Sequence, residues 1–159
     1  MGQIPIGSTT VAGRRPPRPR SIHFRRRGAS LGLTATRTDD LVRLVKRGLS
    51  YKALISLSAV SGLAVATLAS VLGVPERTLA RRKAAGRLAP DESERLLRVS
   101  SLFEKAVELF EGDVAGAVTW LTSPKKALGN LTPLEYSRTE VGAREVEDLI
   151  GRLEHGVFA

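Results

Sequence analysis

Basic side chains gather in the segment SVLGVPERTLARRKAAG, residues 70–86, at a spacing that suits contact with nucleic acid. Arg77 is followed one helical turn later by Arg81, Arg82 and Lys83. A guanidinium group can pair with guanine through two parallel hydrogen bonds, and an ammonium group attracts phosphate. The same side chains also suit a basic helix that only faces water. The segment is therefore either a helix that enters a DNA groove or a solvated surface helix.

The small and apolar residues of this segment favour the first alternative. A helix-turn-helix needs a small residue where its helices cross, a glycine in the turn and an apolar residue that packs the second helix back. Ala69, Gly73 and Leu79 follow this pattern as A-x3-G-x5-L. Pro75 suits the first turn of the second helix, which we expect to end near Ala85. The spacing predicts a helix-turn-helix.

The second helix of such a motif lies in the major groove, and its first residues approach the base edges. We predict DNA contacts from six residues: Arg77, Thr78, Arg81, Arg82, Lys83 and Arg87. Lys83 and Arg87 are expected at phosphates rather than at bases. Arg82 departs from the pattern, because an apolar residue is usual near the end of the second helix.

The charge is distributed unevenly along the 159 residues, whose net value is +9. Residues 1–36 carry seven Arg and no acidic residue, and residues 37–90 carry ten basic and three acidic residues. Residues 91–159 carry eight basic and thirteen acidic residues. The Pro- and Arg-rich residues 1–36 show no periodicity and predict a disordered basic arm. This arm is either a solvated tail or a non-specific phosphate contact.

The composition argues against several other kinds of protein. Cysteine is absent and only two histidines are present, which disfavours disulfides and zinc sites and predicts no metal. The sequence offers no nucleophile beside a base and no phosphate-cradling glycine loop, so we expect no catalytic residue, no cofactor and no enzyme. It also lacks an apolar run of bilayer length or a secretory leader. We therefore expect a cytoplasmic protein with no membrane partner.

Helix signals recur along the rest of the chain, and no alternating strand pattern of useful length is found. Predicted helix caps are Thr38, Ser50, Asp113, Thr132 and Thr139, with Pro90 opening a long helix. The last helix has a predicted apolar face of Val141, Val146, Leu149, Ile150 and Leu153. We predict an all-α fold with a helix-turn-helix domain at 37–98 and a second helical domain at 99–159.

Two long segments carry a resemblance to a known family. They are LGVPERTLARRKAAGRLAPDESERLLRVSSLFEKA and WLTSPKKALGNLTPLEYSRTEVGAREVEDLIGRLEHGVFA. The sequence resembles the Xre/MbcA/ParS antitoxins of RES–Xre toxin–antitoxin operons from about Thr38 to Ala159. The resemblance implies a DNA-binding domain followed by a toxin-binding domain. It also implies an antitoxin that covers the NAD cleft of a RES-domain toxin, which consumes NAD or transfers ADP-ribose from it.

The resemblance also assigns signature positions in the second half. The first group is Trp120, Leu121, Pro124, Leu128, Gly129, Pro133 and Leu134; the second is Thr139, Gly142, Val146, Leu149, Gly151, Glu154, His155 and Gly156. We expect Trp120, Leu121, Leu149 and Leu153 in the core. The predicted toxin contacts lie in the tail: Arg152, Glu154, His155, Gly156 and Val157. Glu154 can pair with an arginine that would otherwise hold a nucleotide phosphate.

The implied partners are a RES-domain toxin, operator DNA and a second copy of the chain within a larger complex. In the family, the antitoxin or the complex represses the shared operon. The alternative is a helix-turn-helix transcriptional regulator whose second half only dimerises.

Overall fold

The protein is seen in a computed structural model that describes residues 21–156. Over this range the predicted all-α fold is confirmed, with eight α-helices, two short 3₁₀ turns at Ala29–Leu31 and Lys126–Leu128, and no strand longer than an isolated bridge. The helices are α1 Thr38–Arg47, α2 Tyr51–Ser61, α3 Val65–Val71, α4 Glu76–Ala85, α5 Pro90–Leu109, α6 Val114–Leu121, α7 Pro133–Tyr136 and α8 Glu140–Glu154.

Local sequence signals set most helix ends. Four of the predicted caps accept backbone hydrogen bonds through their side chains: Ser50, Asp113, Thr132 and Thr139. Thr132 and Glu135 form a capping box, in which each side chain accepts a backbone amide of the other residue. Thr38 differs from its prediction, because it is the first residue of α1 and Arg37 holds the cap position without a side-chain bond. These local bonds therefore fix where four of the helices begin, without any long-range packing.

The twenty-residue helix α5 is the centre of the molecule. Its buried residues include Leu96, Leu102, Phe103 and Val107, which belong to one continuous hydrophobic core. That core also draws side chains from α2, α3, α6 and α8. The domain boundary predicted at 98/99 falls inside α5, so both halves of the chain share this helix.

The N-terminal strap, residues 21–36, differs from the predicted disordered arm. The buried carboxylate of Glu104 accepts hydrogen bonds from the amides of Gly28 and Ser30 at 3.2 and 2.8 Å, and from Ser30 Oγ at 2.6 Å. Phe24 packs on Phe103 with ring centroids 5.6 Å apart. The prediction was wrong here because these partners lie more than seventy positions along the chain, where composition gives no sign of them. Residues 1–20 lie outside the described residues.

The apolar face of α8 also differs from its prediction at one residue. Ala143, Val146 and Ile150 are buried, as residues three and four apart on one face should be. Val141 lies off this face and is 81% exposed. Leu149 packs partly buried against the core, and Leu153 is half-buried.

In the part of the chain that the structure describes, none of the helices taken alone has the length and apolarity to cross a bilayer. Helices α2 and α3 pass that test only as a pair, and a bend of 113° separates them.

Candidate nucleic-acid interface and the exposed end of the last helix

Helices α3 and α4 have the geometry that their spacing predicts. Ala69 is buried where the helices cross, and its carbonyl accepts the amide of Val74 at 2.9 Å. Gly73 has a φ of +67° in the turn, a conformation that other side chains resist. Leu79 packs partly buried against the core. The pair is a helix-turn-helix, and its second helix, α4, holds the place that the recognition helix has in DNA-binding proteins with this motif; we call α4 the recognition helix for that reason.

The outer face of the recognition helix combines long cations with small side chains. Arg77 and Arg81 are four residues apart and share this face with Ala80 and Ala84, and all four are exposed. Small residues allow a helix to approach a surface closely, while the two guanidinium groups reach past them. In the part of the chain described, no ion pair joins Arg77 or Arg81 to a carboxylate. Both side chains can therefore meet an anionic partner.

Arg82 does not share this face. It points to the start of α5, where Nε lies 2.8 Å from Oε2 of Glu92 and Nη2 lies 3.1 Å from Oε1. The hydrogen bond to Glu92 is the main cause that raises the pKa of Arg82 above its ordinary value. Glu92 is buried and also accepts the amide of Ala89 at 2.8 Å. Arg82 therefore fills the usually apolar position of the motif with an intramolecular ion pair, and the base or phosphate contact predicted for it stays a prediction.

The remaining predicted DNA contacts lie around the recognition helix. Lys83 is exposed in its last turn, and Thr78 is half-buried in its first. Arg87 follows the helix, is exposed, and donates from Nη1 to the carbonyl of Gly48 at 2.6 Å. Arg77, Arg81 and Lys83 are therefore exposed on α4, and Arg87 is exposed just after its end.

The predicted toxin contacts are placed at the end of α8. Glu154, His155 and Gly156 are exposed, and Nδ1 of His155 lies 2.9 Å from the carbonyl of Gly151. Arg152 is half-buried and pairs with Glu145 at 3.2 Å. Val157 lies outside the described residues. The polar groups of this end project from a helix whose inner face is fixed in the core.

Sequence reasoning missed a lysine that covers the tryptophan of the first signature group. Leu121 is fully buried as expected, but Trp120 is only half-buried. Lys125 Nζ lies 5.3 Å from the centre of the Trp120 ring, within reach of a cation–π interaction. Burial lowers the pKa of Lys125 from its ordinary value. The only signal in the sequence is that five positions separate the two residues across a proline-containing turn.

A contact between the two halves of the chain was also missed. Arg138, just before α8, donates from Nη2 to the carbonyl of Ser70 at 2.8 Å and lies 3.1 Å from its Oγ. Ser70 belongs to the last turn of α3, next to the turn of the helix-turn-helix. Arg138 therefore joins the segment before α8 directly to the helix-turn-helix. This contact adds to the link through α5, which belongs to both halves of the chain.

No group of three or more His, Asp or Glu residues is arranged to hold a metal ion within residues 21–156. The described chain instead offers two candidate surfaces, which are the cationic outer face of α4 and the polar end of α8.

Two family models match the chain, the first over the part that contains α4 and the second over the part that contains α8. A model described as the antitoxin Xre-like helix-turn-helix domain matches residues 40–101. A model described as the antitoxin Xre/MbcA/ParS C-terminal toxin-binding domain matches residues 105–156. The strap precedes both matches, and α5 crosses from one to the other.

Several curated relatives carry the name Antitoxin Xre. The protein of Yersinia enterocolitica is 43% identical over 130 residues, which are 81% of this chain and 88% of the relative. The protein of Photorhabdus laumondii is 31% identical over 131 residues, 82% of this chain and 88% of the relative. The protein of Pseudomonas putida is 33% identical over 84 residues, 52% of each chain.

Proposed function

Since the chain belongs to the Xre-type antitoxins, with a helix-turn-helix and a toxin-binding domain, we propose that it neutralises a RES-domain toxin in the cytoplasm. It does so by covering the NAD cleft of the toxin with the end of α8 and the residues that follow. Its helix-turn-helix binds operator DNA and represses the shared operon. In this proposal the chain acts by binding and has no catalytic role, in keeping with relatives that are named antitoxins and not enzymes.

The match to a toxin-binding domain is the observation that carries the first part of the proposal. The proposed contacts are Arg152, Glu154, His155, Gly156 and Val157. Support for this place comes from the bare backbone at Gly151: a Cβ there would meet nothing within 4 Å, so packing inside the chain does not require this glycine. A partner that approaches closely would require it. Gly156 gives no such support, because its φ of +67° by itself favours glycine. The carboxylate of Glu154 would then take the place of a nucleotide phosphate on a toxin arginine.

The exposed cations of the recognition helix support the second part. We propose that Arg77, Thr78 and Arg81 meet base edges, and that Lys83 and Arg87 meet phosphates. Arg82 holds the helix in place instead of reading DNA. Helix-turn-helix proteins bind paired half-sites as dimers, so we propose that two copies of the chain stand within the repressing complex.

Co-expression with the RES-domain frame beside its own gene tests the toxin part. We expect the full chain to restore growth and to co-purify with the toxin, and a chain that lacks residues 152–159 to lose both. The matched control is Arg144→Gln, which alters an exposed residue of α8 paired with Glu140 and outside the proposed contacts. Full protection by the shortened chain would refute the role of the tail. Absence of any toxin effect would leave a regulator whose second half only dimerises.

Binding to the DNA upstream of its own gene tests the operator part. We expect a preference for this duplex over a shuffled one. Arg77→Ala should relax that preference by about 1–3 kcal/mol at the base pair it contacts. Equal binding to both duplexes by the unaltered chain would contradict operator recognition.

A further inference from the structure

The turn between α1 and α2 is held tightly against the segment that follows the recognition helix. Hydrogen bonds join Tyr51 N to Gly86 O at 2.9 Å, Leu88 N to Leu49 O at 2.9 Å, Arg87 Nη1 to Gly48 O at 2.6 Å and Leu49 N to Ser93 Oγ at 2.7 Å. Three of these bonds link the turn to residues 86–88. The turn therefore has a fixed position relative to the C-terminal end of α4.

Gly48 makes this close approach possible. Its φ is +82°, and a Cβ there would overlap the carbonyl oxygen of Leu88. The residue is buried, and its own carbonyl is the acceptor for Arg87. The sequence thus builds a rigid platform from the turn and the segment beside it, which we call the α1–α2 platform, residues 47–52 and 86–88.

Three cations project from this platform with no carboxylate partner in the described part of the chain. Arg47, Lys52 and Arg87 are all exposed. Among the described residues, none of the three forms an ion pair, whereas Arg37 and Arg43 just before them pair with Asp39 and Asp40. Three uncompensated charges attract a polyanion, and the backbone that carries them is already held in place before it binds.

The platform adjoins the end of the recognition helix. Helix α4 has ten residues and is about 15 Å long. The major groove of B-DNA is about 12 Å wide. When the first turn of α4 lies at base edges, its last turn therefore reaches the wall of the groove, where the phosphates lie. Arg87 and the platform come directly after that turn.

We propose that Arg47 and Lys52 act with Arg87 as a second DNA contact, which grips the phosphodiester backbone beside the groove that α4 enters. This inference rests on the proposed binding of DNA by the helix-turn-helix. It adds Arg47 of α1 and Lys52 of α2 to the DNA-binding residues. Both would bind phosphates, so their contribution to affinity would not depend on base sequence.

The test is an Arg47→Gln/Lys52→Gln variant of the full chain, measured by its affinity for duplex DNA over a series of salt concentrations. The probes are the duplex upstream of its own gene and a duplex of shuffled sequence. Affinity falls as salt rises, and each phosphate contact makes the slope of log affinity against log salt steeper by about 0.9. Loss of two contacts should therefore make the slope shallower by up to about 1.8. Both duplexes should lose affinity equally, which leaves their ratio unchanged.

A matched control removes the same two charge types from the other half of the chain. Lys126→Gln/Arg144→Gln alters two exposed residues and leaves the platform intact, so its slope should stay near that of the unaltered chain. Equal slopes for the platform variant and this control would overturn the proposal. An unaltered chain that binds both duplexes equally would refute operator recognition while the slopes still decide the platform. No DNA binding at all would refute both.

Discussion

Arg82 in the recognition helix and Glu92 in the first turn of α5 form a two-point ion pair, with nitrogen–oxygen distances of 2.8 and 3.1 Å. Helix α4 has no buried residue, so Leu79, packed partly buried against the core, is its main apolar anchor. Glu92 is itself fixed by the amide of Ala89. The pair therefore links the helix that carries Arg77 and Arg81 to the start of α5.

Two variants separate positioning from direct contact with DNA. If Arg82 positions α4, Arg82→Ala and Glu92→Gln should both weaken binding to the operator duplex and leave the salt slope unchanged, because neither removes a phosphate contact. Salt-dependent affinity measurements on the two variants check this. If Arg82 instead touches phosphate, Arg82→Ala lowers the slope by about 0.9 and Glu92→Gln does not weaken binding.

The buried carboxyl of Glu104 should make the stability of the protein depend on pH. Burial raises the pKa of Glu104 above its ordinary value, although the bonds from Ser30 and Gly28 oppose this. The folded chain therefore binds the proton more tightly than the unfolded chain. The resulting stability is fully present below the ordinary carboxyl pKa and is lost as the pH rises through the raised value.

Thermal unfolding of the unaltered chain and of Glu104→Gln over an acid-to-neutral pH series measures this effect. The amide does not titrate, so the stability advantage of the unaltered chain over the variant should be largest in acid and shrink toward neutral pH. Gln also places an NH₂ group where one oxygen accepts the amide of Gly28, which destabilises the strap at every pH. A difference that is constant with pH would show that Glu104 keeps its ordinary pKa.

The sequence predicted features that depend on neighbouring residues. Ser50 and Thr139 cap helices because a side chain reaches an amide two or three positions ahead, and that geometry needs no tertiary information. The Ala69, Gly73 and Leu79 spacing likewise specified the helix-turn-helix, since its three steric requirements lie within eleven residues.

The features that sequence reasoning missed depend on distant partners or on rotation about a helix axis. Glu104 and Ser30 are 74 positions apart, so composition alone placed the strap in a disordered arm. The ion pair of Arg82 with Glu92 was missed because it depends on the direction in which Arg82 projects from the axis of α4. Val141 was assigned to the apolar face of α8 because it is apolar, although its direction from the axis of α8 places it outside the buried stripe.

Gly142 and Gly151 both lie within α8 but differ in their surroundings. Substituting each in turn distinguishes a glycine needed for packing inside the chain from one needed for contact with a partner. A Cβ at Gly142 would overlap the carbonyl oxygen of Tyr136, whereas a Cβ at Gly151 would meet nothing within 4 Å. Gly142→Ala should therefore cost about 1–3 kcal/mol of folding stability through forced backbone movement. Gly151→Ala should add up to about 1 kcal/mol, because alanine favours helix over glycine.

Thermal denaturation of both variants, paired with titration against the purified toxin, makes the comparison. If the toxin approaches the bare backbone at the end of α8, Gly151→Ala gains stability and loses toxin affinity, a combination that a purely structural glycine does not produce. Unchanged toxin affinity in a stabilised Gly151→Ala chain would place the toxin contact away from this turn. An equally stable Gly142→Ala chain would contradict the close packing of α7 against α8.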